Sequence, residues 1–540
     1  MSTPEPTPDA TERTPLLSAS ADGAADDEGA MSPPTDGLRR IADSLPLSAW
    51  LVATIELCER FAFFGTMGPM QNYLQYARDD PLRPGGIGLG QAYATMVNQG
   101  FLLWCYITPV MGAIVAEQYL GRVKTIIHSS AIYICGLAML FLSSLSLAQD
   151  LGVSLTGLLA ALFFIGLGAG GIKANVSSLI AEQYTGPKEA KRVLESGEEV
   201  IVDRALTIER IFSTFYLFTN IGSLGPLLTT TIEQKHGFSA AFSLPVLVFL
   251  IGFTVILASK DQYVSRPPES SIVFNACRAC WIAIKHKGNL DYARPSYLAE
   301  AASQSEAELE THSTPLPWND TFIDDLRSAL SSCKIFLLYP IYWAAYTQFL
   351  TNFVSQAATM KTHGIPNDIM PNIDTVTVLI LLPLVDRAVF PFLRRHGIPA
   401  RHVHRITVGF ILIGTSMFYA SFVQRIIYAA PPCYDRPRAP DCLGGRVPNQ
   451  VSIFVQAPAY ILVAGSEILA AVAGIEYAYT QAPPSMKSLI MAVYLSATSV
   501  GALLAMTVSP LTVDPLLSWL YVTLGMENWL AGAVLWFVAG

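Results

Sequence analysis

The chain has 540 residues, of which 52% are hydrophobic and 14% charged. Soluble domains carry about 25% charged residues and disordered chains lack aliphatic and aromatic ones, so the composition excludes both a string of soluble domains and intrinsic disorder. Eight Cys are too few for a disulfide scaffold, which leaves a protein whose solvent is largely lipid.

The formal net charge of −8 is unevenly placed. Residues 1–45 hold nine acids against Arg13, Arg39 and Arg40, giving −6, and the other 33 acids and 31 bases give −2. Residues 1–46 are rich in Pro, Ser, Thr, Ala and Asp without periodicity and read as a disordered acidic cytoplasmic tail. No signal peptide is expected, since a charged start and a continuous apolar run are missing. Within the tail ERTPLL fits an acidic dileucine sorting signal carried by Glu12, Leu16 and Leu17. A sorting adaptor would then be a partner; a plain linker is the alternative.

Apolar stretches long enough to cross a bilayer as helices follow near 48–76, 91–116, 123–148, 151–183, 207–233, 238–258, 335–360, 371–394, 402–428, 451–480, 486–510 and 526–540. The twelfth is expected to be short. With the N-terminus in the cytosol, the cytoplasmic segments beyond the tail hold about 20 Lys and Arg and the opposite loops about eight, the bias that fixes topology. That topology puts Cys433 and Cys442 in an extracytoplasmic loop, where a disulfide is chemically feasible.

The break at 259–333 divides the spans six and six. It contains an acidic run, QSEAELETHST, and a stretch, VFNACRACWIAIKH, in which apolar and basic residues interleave. The latter reads as an interfacial helix on the cytoplasmic surface. The layout is a tail (1–46), an N-terminal six-helix bundle (47–258), a cytoplasmic linker (259–333) and a C-terminal six-helix bundle (334–540). This is an all-α polytopic membrane protein with the two-bundle organisation of major facilitator transporters.

Ionisable residues inside spans are costly and by default mark function. In the first span, IELCERFAFFG places Glu56, Glu59 and Arg60 at i, i+3 and i+4, hence on one helix face. A structural ion pair between helices is the alternative to a functional site. In the fourth span, GLGAGGIKANVSS carries Lys173 past glycines that allow close helix approach. Its ammonium needs a carboxylate, which the first span supplies, unless it snorkels to the surface. In the tenth span Glu467 lies deep and reads as a substrate or proton site; Glu476 reads as a packing or gate residue. Asn220 in the fifth span is a cavity residue or helix–helix glue. In the eighth span Asp386 and Arg387 are expected to pair at the cytoplasmic surface, and Asp374 to be a cap or gate. No G-x-S-x-G, H-E-x-x-H or P-loop motif occurs, so no enzymatic activity is expected. His402 and His404 among Arg residues are poor metal ligands, and the sequons at Asn175 and Asn319 fall in a span and in the cytosol. No cofactor, metal or nucleic acid is implied; uphill transport would draw on an ion gradient.

ELCERFAFFG resembles the E-x-x-E-R-F-x-Y-Y-G signature of the proton-dependent oligopeptide transporter family, and GAIVAEQYLGRVKTI, GGIKANVSSLIAEQY, FYLFTNIGSL and GIEYAYTQAPPSMKS look like further blocks of it. They occur in the expected order across roughly residues 47–540, and fungal peptide transporters are the most similar members. The resemblance implies the major facilitator fold with peptide bound between the bundles. It implies proton coupling at Glu56, Glu59, Arg60 and Lys173, and substrate contacts at Arg60, Tyr106, Lys173, Asn220 and Glu467. Phe63 and Phe64 depart from the family's tyrosine pair, Met67 and Thr347 stand where many members have an arginine and an acid, and Gln99 stands where mammalian members have a histidine.

The chemistry of a zwitterionic peptide agrees: Arg60 and Lys173 suit its carboxylate, Glu467 its amine, and Tyr106, Tyr342, Trp343 and Trp519 could line side-chain pockets. The reading is proton-coupled symport of di- and tripeptides by alternating access, by a monomer. The alternatives are a transporter of a modified peptide or other small organic solute, and a peptide receptor without net transport. The plasma membrane is the family default, and the ERTPLL tail makes the vacuolar membrane a rival.

Overall fold

The computed structural model describes residues 38–539, apart from 195–196, 266, 268–270, 298–315 and 397–400. The sorting signal at Glu12, Leu16 and Leu17 and the QSEAELETHST run lie outside the described residues, as does the side chain of Asp386. The protein is helical and has the major facilitator fold. Among the described residues nine helices are both long and apolar enough to cross a membrane, from Gly90–Leu120 to Lys487–Leu511.

Three further expected spans are helical but differ in character. The first, Leu47–Gln75, holds its three charges inside. The seventh is broken into Tyr339–Tyr346, Thr347–Leu350 and Asn352–Ala358 at Thr351 (φ −123°, ψ −83°). The twelfth is not short: it runs Leu517–Ala539, 23 residues. Ser518, Thr523, Glu527 and Asn528 dilute its hydropathy and hid its first half. Buried Asn528 donates to the carbonyls of Leu524 (2.9 Å) and Ile341 (3.2 Å), which ties this helix to the seventh span.

Two apolar cores follow the two halves of the chain. One gathers Tyr73, Tyr133, Ile165, Phe242 and Phe249; the other gathers Tyr339, Phe410, Tyr460, Tyr494 and Tyr521. In the fourth span a Cβ on Gly170 would meet Thr108 Cβ at 2.4 Å, and one on Gly171 would meet Ser129 Oγ at 1.9 Å. Only glycine lets the second and third spans approach so closely, and this contact fixes the height and direction of Lys173.

The tail reading needs correction at its end. Arg39–Ile41 forms a strand parallel to Glu199–Asp203, which pairs antiparallel with Glu189–Val193. Val200, Ile201 and Val202 are β-branched and buried, and Arg40 bonds Asp203 and Glu189, both at 2.9 Å. A three-residue strand sustained by a partner over 150 residues away carries no local signal. In the linker, Ile272–Lys285 is an amphipathic helix. Val273, Ala276, Ala279 and Ala283 face the protein, while Phe274, Trp281 and Ile284 are exposed. A second helix, Asp320–Ser332, is capped by Asn319, whose Oδ1 accepts from the Phe322 N–H at 3.0 Å.

Polar contacts join the two bundles on the half of the molecule that carries the Cys433–Cys442 loop. Asn72 and Asn367 exchange reciprocal side-chain hydrogen bonds of 3.0 Å. Gln71 donates to Ser355 (3.1 Å), Thr95 to Asn352 (3.1 Å), and Arg83, paired with Glu233, to Asn367 (2.7 Å). Outside them Cys433 and Cys442 are joined by a disulfide. The loop between them carries Arg438, which bonds both oxygens of Asp80 (2.9 and 3.1 Å) and covers the Tyr76 ring at 4.7 Å. These contacts tie the two bundles together on this side.

Candidate functional site

Arg60 is held by both of its helix neighbours. Its Nε lies 3.1 Å from Glu56 Oε1, and its Nη2 pairs with Glu59. All three side chains are buried, with Glu59 fully so. The three charges are thus paired with one another away from solvent.

Lys173 has a different partner from the expected one. Among the described residues it forms no ion pair within 4.0 Å. Its Nζ sits between the Phe63 and Tyr106 rings, 4.6 Å from each centroid. An ammonium between two aromatic faces gains a cation–π attraction that is larger when desolvated. Phe63, which departs from the family tyrosine, is therefore a ring partner of Lys173, and it also lies 5.6 Å from the Arg60 guanidinium.

The tenth span is Ala457–Ser466, then a π-helical turn Glu467–Val472, then Ala473–Thr480. π turns inside α-helices recur at functional sites. This one is stabilised by two tyrosines: Tyr339 Oη donates to the Ala470 carbonyl (3.0 Å) and Tyr494 Oη to that of Ala471 (2.9 Å). Glu467 opens the turn and accepts a 2.8 Å hydrogen bond from Tyr346.

A cavity of about 230 Å³ lies between the bundles. Arg60, Phe64 and Asn220 line it from one bundle, and Tyr346, Asp374 and Glu467 from the other. Asn220 donates to the Tyr216 carbonyl at 2.8 Å, which leaves its side-chain oxygen for the cavity. Arg60, Asn220 and Glu467 are thus brought together. Glu56, Glu59, Lys173 and Tyr106 stand behind this wall, not on it.

Several expectations are corrected. Asp374 is no helix cap; it lies in the wall of the cavity with Glu467. The sequence reading missed it because an acid near a predicted helix end looks like a cap. Trp519 is 62% exposed, on the outer surface beside Arg425, and is not among the residues that line the cavity between the bundles. Tyr342 is buried and bonds Ser466 at 3.3 Å, and Trp343 packs on Tyr346. Glu476 pairs with Arg405 at 2.7 Å, toward the end of the tenth span. Asn175 is inside the fourth span and donates to the Gly171 carbonyl at 2.8 Å.

Residues 123–530 match the sequence profile PTR2, the POT family. The chain belongs to the POT family. Among its relatives is the peptide transporter imqJ of Aspergillus flavus, 69% identical over 58% of this chain and 60% of that protein. Another is the peptide transporter PTR_C of Candidozyma auris, 42% identical over 96% of this chain and 88% of that one. The crystal structure of the POT family transporter PepTSo superposes with a TM-score of 0.70 at 22% identity, covering 92% of this chain and 98% of that one. As a POT family member the chain is a multi-pass membrane protein and no enzyme.

Proposed function

We propose that this POT family member is a proton-coupled symporter of di- and tripeptides working by alternating access. The observation that carries the reading is the cavity itself, with the Arg60 guanidinium on one bundle and the Glu467 carboxylate on the other. A zwitterionic peptide spans that polarity, its carboxylate toward Arg60 and its ammonium toward Glu467. The volume lies below the roughly 300–1,000 Å³ usual for drug-sized ligands, which restricts occupants to small solutes.

Coupling begins at the first span. With Glu56 and Glu59 both ionised, Arg60 is committed to them. Protonating either one weakens that hold and frees the guanidinium for the peptide carboxylate. Lys173, held by rings rather than by a carboxylate, stands behind Arg60. Opening toward the cytosol then releases proton and peptide.

A second reading is a transporter of a modified peptide or another small organic solute. Phe64 favours it, because a phenyl ring lines the cavity where the family signature has a tyrosine hydroxyl. Uptake of labelled dialanine competed by a panel of dipeptides separates the two. Displacement by dipeptides of differing side chains supports the first; displacement by none of them removes it. Saturable binding without accumulation would indicate a receptor. The transporter acts as a monomer in the plasma membrane or, through a sorting adaptor at Glu12, Leu16 and Leu17, in the vacuolar membrane. A fluorescent fusion beside a Leu16→Ala, Leu17→Ala variant tests this, since an unchanged distribution excludes the signal.

A further inference from the structure

The last span carries a carboxylate that the fold leaves outside. Glu527 is the eleventh residue of the 23-residue helix Leu517–Ala539, about 15 Å along it and so near the middle of the bilayer. Its neighbour Asn528 is buried and tied to the seventh span, which turns Glu527 to an exposed face. Trp519, Thr523, Met526, Leu530 and Val534 share that face and are exposed too. Among the described residues Glu527 has no ion-pair or hydrogen-bond partner. An ionisable side chain inside a membrane is costly and almost always turns to protein or to a water-filled cavity. Glu527 turns to the outer surface instead.

A groove of about 140 Å³ lies beside it, between the eleventh and twelfth spans. Leu511, Leu516, Trp519, Thr523 and Leu524 line it together with Glu527, the only charged residue on its wall. The volume is below the roughly 300–1,000 Å³ of a drug-sized ligand site, which suits one inserted side chain and not a whole lipid. A Lys side chain from a neighbouring helix has the matching form, an apolar stem that ends in a cation. Thr523 donates its hydroxyl to the Trp519 carbonyl at 3.1 Å, so its oxygen keeps lone pairs for a further donor. Arg425 does not supply the missing charge. It lies over the Trp519 ring at 5.4 Å, and Trp519 is about 12 Å along the helix axis from Glu527. A second copy of this chain fits poorly: an isologous contact through this face brings Glu527 toward its own equivalent, and like charges disfavour each other.

We propose that the outer face of the twelfth span binds the transmembrane helix of a partner protein that carries a Lys at mid-bilayer depth, with Glu527 as its counter-charge. Each charge neutralises the other in a medium that solvates neither. The contact uses no residue of the central cavity and does not depend on the peptide reading.

The test uses a defined helix as probe, a transmembrane peptide of Leu and Ala with one central Lys. Energy transfer from the labelled full-length transporter in phosphatidylcholine vesicles to the labelled peptide reports binding, without any transport. Wild type should bind the Lys peptide about 5- to 30-fold more tightly than the same peptide with Leu at the centre. Glu527→Gln should remove that preference, and Glu527→Asp should keep part of it. Equal binding of the two peptides to wild type, or a preference that survives Glu527→Gln, overturns the proposal. Energy transfer between two differently labelled transporters that disappears in Glu527→Gln would assign the face to a second copy and overturn it as well. So would loss of the preference on adding phosphatidylethanolamine, because a lipid amine would then be the occupant.

Discussion

Replacing Arg438 with alanine removes the strap that the disulfide loop lays over the outer mouth. Arg438 makes two charge-assisted hydrogen bonds to Asp80, and the two side chains are only 7% and 15% exposed. Such bonds contribute about 1.5–3 kcal/mol when little screened, and the Tyr76 ring adds about 0.5–1 kcal/mol. These contacts exist only when the bundles meet, so their loss acts on the closed state alone. A net change of about 2 kcal/mol moves the closed-to-open ratio by roughly 30-fold. Arg438 also bonds the Gly445 carbonyl inside its own loop at 3.2 Å, and Asp80 accepts from the Leu82 and Arg83 N–H groups at 2.9 and 2.8 Å, so Arg438→Ala and Asp80→Ala disturb different local bonds and share only the loss of the strap. The assay is the rate at which a membrane-impermeant maleimide modifies Ser355→Cys, a buried position on the seam between the bundles, compared in the same cysteine-replaced background with and without the strap. Both variants should speed modification by about 10-fold or more. An unchanged rate in both would refute the strap.

Gly171→Val puts a side chain where Ser129 Oγ already lies; overpacking of this size costs about 1–3 kcal/mol or more, and thermal unfolding in detergent should show a lowered midpoint. Trp519→Ala should leave dipeptide uptake within about twofold of wild type, because the ring faces outward. Asp514, in the loop before the last helix, is pushed up to about 6 by burial, against the hydrogen bond from Tyr428 and with the help of Asp435. The folded state thus keeps a proton that the unfolded chain releases from about pH 4, so this group costs stability as pH rises from about 4 through 6, by on the order of 3 kcal/mol. Asp514→Asn should therefore be the more stable protein at pH 7 and match wild type near pH 4; a pH-independent difference in unfolding midpoint contradicts the assignment.

The charges within the spans were legible because they are scarce. Glu56, Glu59 and Arg60 announce a shared face through i, i+3 and i+4 spacing, and the glycines before Lys173 announce close packing. What stayed hidden is what depends on partners distant in the chain. Lys173 was expected to meet a carboxylate, but helix packing set it between Phe63 and Tyr106. Asp374 gained its meaning only when the eighth and tenth spans met. The π turn at Glu467 follows from hydroxyls of Tyr339 and Tyr494, which no local pattern predicts. The start of the last helix and the small three-stranded sheet were missed for the same reason, since polar residues such as Asn528 and short strands are stabilised by tertiary contact.

The central claim is that a proton gradient drives peptide movement through the first-span cluster. The direct measurement is dipeptide uptake into proteoliposomes with an inward proton gradient, with and without a protonophore. Wild type should accumulate peptide only while the gradient lasts, and Glu59→Gln and Lys173→Ala should lose gradient-driven accumulation. Retained gradient-driven accumulation in both variants would contradict the account.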